Sequence, residues 1–255
     1  KYFTTNINQL KKKLNLNHAQ CADQLKNWYN GYKFCESGEK VYNPFSILNV
    51  FLNNKFKNYW FETGTPTFLV NLITENNYPI IDIESLLVAE QSFTTYDIDQ
   101  LKIESLLFQT GYITIKKYDG VLFKLGYPNQ EVKQSFIEYL YQRCVEIPDS
   151  NIRDTFLFLP KYLKEYEYEN FIATINALLS SIPYTHIANQ DESYYHRVFY
   201  LILSASGVEV LTEVLTSQGR IDIAVFFEKT IYIIELKCNQ SADKAISQIK
   251  HKQYA

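Results

Sequence analysis

Residues 219–238, GRIDIAVFFEKTIYIIELKC, constrain this chain more than any other stretch. Residues 220 to 227 and 230 to 236 are two apolar, β-branched and aromatic runs, and the polar pair Glu228-Lys229 marks the reversal between them. The pattern predicts an antiparallel hairpin. An even loop centred on Glu228 and Lys229 pairs Phe227 with Thr230 and Phe226 with Ile231, so paired residue numbers sum to 457, a sum that Asp222 and Glu235 also satisfy. Opposed residues have Cβ atoms roughly 4.5 to 5.5 Å apart. Lys237 follows Glu235 on the same face because strand side chains alternate. An odd loop would instead turn Asp222 to the other face.

Facing carboxylates on adjacent strands repel unless a cation sits between them, and a hard divalent ion such as Mg2+ takes oxygen ligands of this kind. Ile231, Ile233, Ile234, Val225 and Phe226 make both strands apolar on both faces, so charges inside them need partners. Two carboxylates and an ammonium on one face suit metal-dependent phosphodiester chemistry. Upstream, a turn at Thr216-Ser217-Gln218-Gly219 gives a pair sum of 435 and sets Glu213 opposite Asp222. Glu213 is then either a further acidic neighbour or part of a solvated outer face. ESYYHRVFYLILSAS, residues 192–206, reads as a helix with Tyr195, Val198, Phe199 and Ile202 at helical spacing and Glu192 and His196 four apart.

GRIDIAV and IIELK, followed by a helix carrying Gln248 and Tyr254 in QIKHKQYA, resemble the PD-(D/E)xK nuclease superfamily, specifically the nuclease-like domain found behind an AAA-ATPase-like domain in many bacterial proteins. The resemblance covers about residues 190 to 255. It implies that Asp222 and Glu235 ligate Mg2+ or Mn2+, with the backbone carbonyl of Leu236 a further ligand. Lys237 would orient the attacking, metal-activated water and stabilise charge developing on the phosphate. Gln248 and Tyr254 resemble the QxxxY-type element of RecB-like nucleases, at a spacing of six rather than four. Glu192 is the candidate acid from the first helix, with His196 and Tyr195 beside it; as a helix N-terminal acid it also suits the helix dipole.

NWYNGYKFCESGEKVYNPFSILNVF, residues 27–51, and YWFETGTPTFLVNLI, residues 59–73, resemble the C-terminal part of that AAA-ATPase-like domain. No GxxxxGK[ST] phosphate loop occurs in the chain, so ATP hydrolysis by these residues alone is not expected. The chain begins at Lys1 and contains no Met, which suggests a fragment of something longer, and a PD-(D/E)xK core would continue past Ala255 into another strand.

A net charge of -3 gives no global nucleic-acid footprint. Lys237, Lys244, Lys250, His251 and Lys252 nevertheless concentrate at the C-terminal end, either as a path for a phosphate backbone or as a solvated helix face. Lys244, Lys250, Tyr254 and His196 are the candidate nucleic-acid contacts, with DNA the foremost substrate. Cys21, Cys35, Cys144 and Cys238 show no CxxC spacing, which fits reduced thiols and a cytoplasmic location. KYFTTNINQLKKKLN lacks the apolar core of a signal peptide, and no apolar run approaches the ~20 residues of a membrane span.

Helices are predicted at 6–14, 19–30, 44–53, 65–75, 129–145 and about 167–180. Residues 97–128 read as a helix followed by a hairpin turning at Asp119-Gly120, a small winged-helix-like unit. Pro183 and Asn189-Gln190-Asp191 mark an entry to the nuclease-like part. The expected fold is α+β. A helical tail of an AAA-ATPase-like domain occupies 1–165, and a nuclease-like mixed sheet flanked by helices occupies 166–255. The expected function is a Mg2+-dependent nuclease; the alternative is a non-catalytic nucleic-acid or protein-binding module that retains the fold, gated by an upstream ATPase-like domain.

Overall fold

The structure is a computed structural model that describes residues 3–63, 67–75, 78, 83–84, 86–93, 102–145, 152–182, 192–238, 240–252 and 254. Thr65, the predicted helical residues 97–101, Pro183, Asn189-Gln190-Asp191 and the side chain of Cys144 lie outside the described set. The chain divides into two compact units, residues 1–136 and 137–255. Helices and antiparallel sheets make up both, as expected of an α+β chain.

In the first unit, α1 (Thr4–Leu14) and α2 (His18–Tyr29) precede the short strands β1 (Asn30–Tyr32) and β2 (Val41–Tyr42) and the helix α3 (Pro44–Asn53). A reciprocal cap starts α2: Gln20 N–H donates to Asn17 Oδ1 and Asn17 N–H to Gln20 Oε1, both at 2.9 Å. Asn43 caps α3 by accepting from Phe45 N–H at 3.0 Å, and Pro44 takes the first helical position, where its missing N–H costs nothing. Leu10, Leu25, Tyr29, Val50 and Tyr59 form the core between these helices.

Further along come α4 (Thr67–Glu75), β3 (Leu87–Ala89), α5 (Ile103–Gln109), β4 (Thr114–Tyr118), β5 (Leu122–Gly126) and α6 (Gln130–Val145). The helix-then-hairpin order read from 97–128 is present in α5, β4 and β5. Asp119 Oδ1 accepts from Val121 N–H at 3.0 Å and Leu122 N–H at 2.8 Å, while Gly120 takes φ +100. The sequence did not disclose β3, which adds to the outer side of β5 in the order β3-β5-β4. At three residues it is too short to show an alternating pattern.

The second unit contains α7 (Ile152–Lys164), α8 (Tyr168–Ser180), α9 (Glu192–Ala205), β6 (Glu209–Thr216), β7 (Gly219–Phe227), β8 (Thr230–Ile234) and α10 (Ala242–His251). α7 was not predicted because Pro160 falls inside it, and proline removes a helical donor. Phe156, Leu159 and Leu163 on this helix are nonetheless 2% exposed or less, and burial of that apolar stripe outweighs the lost hydrogen bond. The sheet is wholly antiparallel among the described residues, in the order β6-β7-β8, where a mixed sheet was expected. β7 is central: Ile221, Asp222, Ile223, Ala224 and Val225 are all buried.

Candidate metal centre

β7 pairs with β8 from Ile223↔Ile234 to Phe227↔Thr230, every pair obeying the sum of 457. The two-residue turn has Glu228 in the left-handed region at φ +52, which matches the twist of the strands. The even loop puts Asp222 and Glu235 in register, but the ladder stops at Ile234, one residue earlier than that pair. Past this point Asp222 takes over the role of a ladder rung: its Oδ2 accepts the Leu236 N–H at 2.9 Å. The segment Glu235-Leu236-Lys237 is thereby tied to β7 through a side chain.

Glu235, Lys237 and Gln248 meet at one oxygen. Lys237 Nζ donates to Glu235 Oε1 at 2.7 Å and to the Leu236 carbonyl at 3.1 Å, and lies 3.9 Å from Asp222 Oδ2. Gln248, on α10, donates its amide to the same Glu235 Oε1. The Glu235 side chain is fully buried at 0% exposure, and its Oε2 has no hydrogen-bond partner among the described residues. Such an orphaned buried oxygen calls for a ligand or a cation.

α9 faces Asp222 from the other side. His196 is 7% exposed, and its Nε2 lies 3.6 Å from Asp222 Oδ2, beyond hydrogen-bond reach and without another partner among the described residues. Glu192, one turn earlier, brings its carboxylate to the same place, and the ligand atoms of Glu192, His196 and Asp222 all lie within 4.8 Å of one another. His196 was a candidate nucleic-acid contact beside Glu192. It is buried instead, on the face that α9 turns to β7, a face that Glu192 four residues earlier shares.

The titration behaviour follows from this crowding. The facing Asp222 carboxylate is the main reason His196 is held above its usual value, with burial opposing. Burial acts to raise the Asp222 carboxyl, but His196, the Leu236 N–H and Lys237 together hold it below the usual carboxylate range. Burial pushes Glu235 up, and Asp222 adds to the shift while Lys237 opposes it. Burial works to lower Lys237, yet Glu235 and Asp222 outweigh it and raise the ammonium.

Three carboxylates thus face one ammonium and one imidazole. The donor set, with the orphaned Glu235 Oε2 and His196 Nε2, fits a divalent ion: oxygen ligands suit Mg2+ and Mn2+, and the imidazole adds a ligand that borderline ions accept.

Other expected residues are distributed as follows. Lys244 and Lys250 are exposed on α10. Tyr254 lies past the end of α10, and its hydroxyl donates to the Arg220 carbonyl at 2.7 Å. Its hydroxyl goes to β7 rather than to the Glu235 carboxylate that Gln248 holds, because α10 ends at His251, before Tyr254. β6 and β7 pair at the sum of 435 from Glu209↔Phe226 to Thr216↔Gly219, as the turn arithmetic required. Glu213, the residue in register with Asp222, adopts φ +53 and forms an ion pair with Arg220 at 3.2 Å.

Residues 190–255 match the PD-(D/E)XK nuclease superfamily model and form a domain of that superfamily. The chain is also 37% identical over 245 residues to a protein of Azotobacter chroococcum mcd 1 described as "Uncharacterized protein in vnfD 5'region". That similarity covers 91% of this chain and 46% of the relative, so the chain spans about half of the relative's length. No solved structure matches.

Proposed function

We propose that the PD-(D/E)XK domain at residues 190–255 is a metal-dependent nuclease that hydrolyses nucleic-acid phosphodiester bonds, DNA foremost. The observation that carries this is the convergence of Asp222, Glu235 and Lys237, with Glu235 Oε2 and His196 Nε2, which have no hydrogen bond among the described residues, beside them. Asp222, Glu235 and the Leu236 carbonyl would hold Mg2+ or Mn2+, with Glu192 and His196 as further ligands. When bound, the ion supplies Lewis acidity toward a phosphoryl oxygen and a more acidic water.

The chain's own residues do the rest. Lys237, fixed between Glu235 and the Leu236 carbonyl, presents positive charge where negative charge develops on the phosphate. Gln248 positions Glu235 by holding Oε1, and the Leu236 N–H positions Asp222. Lys244 and Lys250, exposed on α10, are available to a phosphate backbone. Residues 1–165 are read as the tail of an AAA-ATPase-like domain on the strength of residues 27–51 and 59–73. The functional boundary falls near residue 165, just after α7 ends. A cytoplasmic location belongs to the same proposal, since Cys21, Cys35 and Cys238 form no disulfide among the described residues. No helix among the described residues is long and apolar enough to cross a membrane.

The deciding experiment incubates the chain with labelled linear, circular and single-stranded DNA and with RNA, in Mg2+ or Mn2+, beside Lys237→Ala. Circular dichroism checks the fold of both. Metal-dependent cleavage that disappears in the variant supports the nuclease. A folded wild type that binds nucleic acid equally with and without chelator, and never cuts it, is instead a non-catalytic binding module.

A further inference from the structure

β7 carries a second charged residue on the face of Asp222. Arg220 precedes Asp222 by two residues in a continuous strand, so both project to the same side, about 7 Å apart along the chain. The Arg220 side chain is 54% exposed. Its backbone is anchored: the carbonyl accepts from Tyr254, and at the adjoining Gly219 an added Cβ would sit 2.7 Å from that same hydroxyl. Arg220 therefore stands on a rigid element beside the metal centre, with its guanidinium in solvent.

The partner of that guanidinium is held in an unusual way. The β6–β7 register passes from Thr212↔Ile223 directly to Val214↔Ile221, and the position between them, Glu213 facing Asp222, makes no ladder pair. A non-glycine residue at φ +53 inside a strand is disfavoured, and such backbone outliers gather at functional sites. In extended backbone Glu213 would stand opposite Asp222 and bring a fourth carboxylate to a centre that already has Glu192, Asp222 and Glu235. Its carboxylate instead meets Arg220 Nη1 at 3.2 Å.

We propose that Arg220 is a phosphate-anchoring residue, gripping a backbone phosphate of the nucleic acid next to the one being cleaved, and that Glu213 is its positioning residue. The guanidinium has five donors in a planar fork and Glu213 engages one edge, which leaves the geometry that matches phosphate oxygens in pairs. The left-handed turn at Glu213 directs its carboxylate to Arg220 rather than to Asp222 and so orients the guanidinium. This goes beyond the nuclease assignment while presupposing a nucleic-acid substrate.

The test is fluorescence anisotropy of a labelled DNA oligonucleotide, single-stranded and duplex, titrated with the full chain across a salt series in Ca2+, where cleavage does not interfere. Loss of one phosphate contact lowers the slope of log affinity against log salt by about 0.7 to 0.9. Arg220→Ala is expected to weaken binding about fivefold to tenfold with that drop in slope. Arg220→Lys restores the slope but not the full affinity, and Glu213→Gly gives an intermediate loss. A thermal melt separates misfolding from lost contact. Arg220→Ala with wild-type affinity and slope overturns the proposal, as does a wild type without salt-dependent binding. A wild type that binds through Arg220 yet fails to cut DNA in Mn2+ upholds the anchor and sinks the nuclease assignment.

Discussion

The backbone N–H of Leu236 donates to Oδ2 of Asp222 at 2.9 Å, just beyond the last β7–β8 pair, so a side chain continues a ladder that the backbone has left. Asp222 has two duties as a result: it is an expected metal ligand, and it fixes the segment that carries Glu235 and Lys237.

Those duties separate in two variants. Asp222→Ala leaves the Leu236 N–H without its acceptor and costs about 1 to 3 kcal/mol of stability. Asp222→Asn keeps an acceptor oxygen and stays within about 1 kcal/mol of wild type. Both are expected to lose about 100-fold or more in cleavage rate. Urea unfolding followed by circular dichroism, beside the cleavage assay, checks both halves; Asp222→Asn cutting at the wild-type rate would remove Asp222 from the chemistry.

His196 tests which ions the centre accepts. An imidazole nitrogen suits Mn2+ better than Mg2+, which prefers oxygen. His196→Ala is expected to weaken Mn2+ binding about tenfold or more and Mg2+ binding less, as measured by isothermal titration without substrate. Equal losses for both ions, or none, would mean that the imidazole is not a ligand.

The sheet around this centre was legible because two constraints acted together. Continuous apolar, β-branched and aromatic runs marked β7 and β8, and the turns at Glu228-Lys229 and Ser217-Gln218, being even, give the sums of 457 and 435 that hold along β7. Backbone departures were not legible. Nothing in the residue types around Glu213 signals φ +53, since glycine or asparagine would be the usual marker. The inward aim of His196 depends on where α9 crosses the sheet, which helical spacing does not specify. Pro160 hid α7, because the local rule against proline was outweighed by packing that is visible only in three dimensions.

Stability of the first unit is expected to hinge on Glu131, which is fully buried. Its carboxylate accepts from Ser46 Oγ at 2.8 Å and from the N–H groups of Tyr59 and Trp60 at 2.8 and 3.0 Å. Glu131→Gln replaces these charge-assisted hydrogen bonds by neutral ones and is expected to cost about 1 to 2 kcal/mol. Ser46→Ala, which removes a single donor, costs about 1 kcal/mol. Chemical denaturation with near-ultraviolet detection of the surrounding aromatics reads both; a Glu131→Gln variant as stable as wild type would show that the carboxylate is not the anchor.

The same unit is expected to fail in alkali. Tyr29 is 0% exposed, donates to the Lys57 carbonyl at 3.0 Å and accepts the Lys57 N–H at 3.1 Å. Burial is the main reason that its hydroxyl ionises well above the ordinary value of 10.0, and Tyr32 is raised for the same reason. Above pH 10 the unfolded chain sheds these protons while the folded chain keeps them, so the folded state binds more protons and stability falls as pH rises. The stabilisation is complete below pH 10, and each group contributes a slope of about 1.4 kcal/mol per pH unit above it. Tyr29→Phe forfeits about 1 to 2 kcal/mol at neutral pH by removing its two hydrogen bonds to the Lys57 backbone, yet it removes one raised phenol and should make the alkaline slope shallower by about 1.4 kcal/mol per pH unit. Denaturation midpoints at pH 7, 9, 10 and 11 distinguish the two effects, and an unchanged slope in Tyr29→Phe would show that alkaline loss arises elsewhere in the chain.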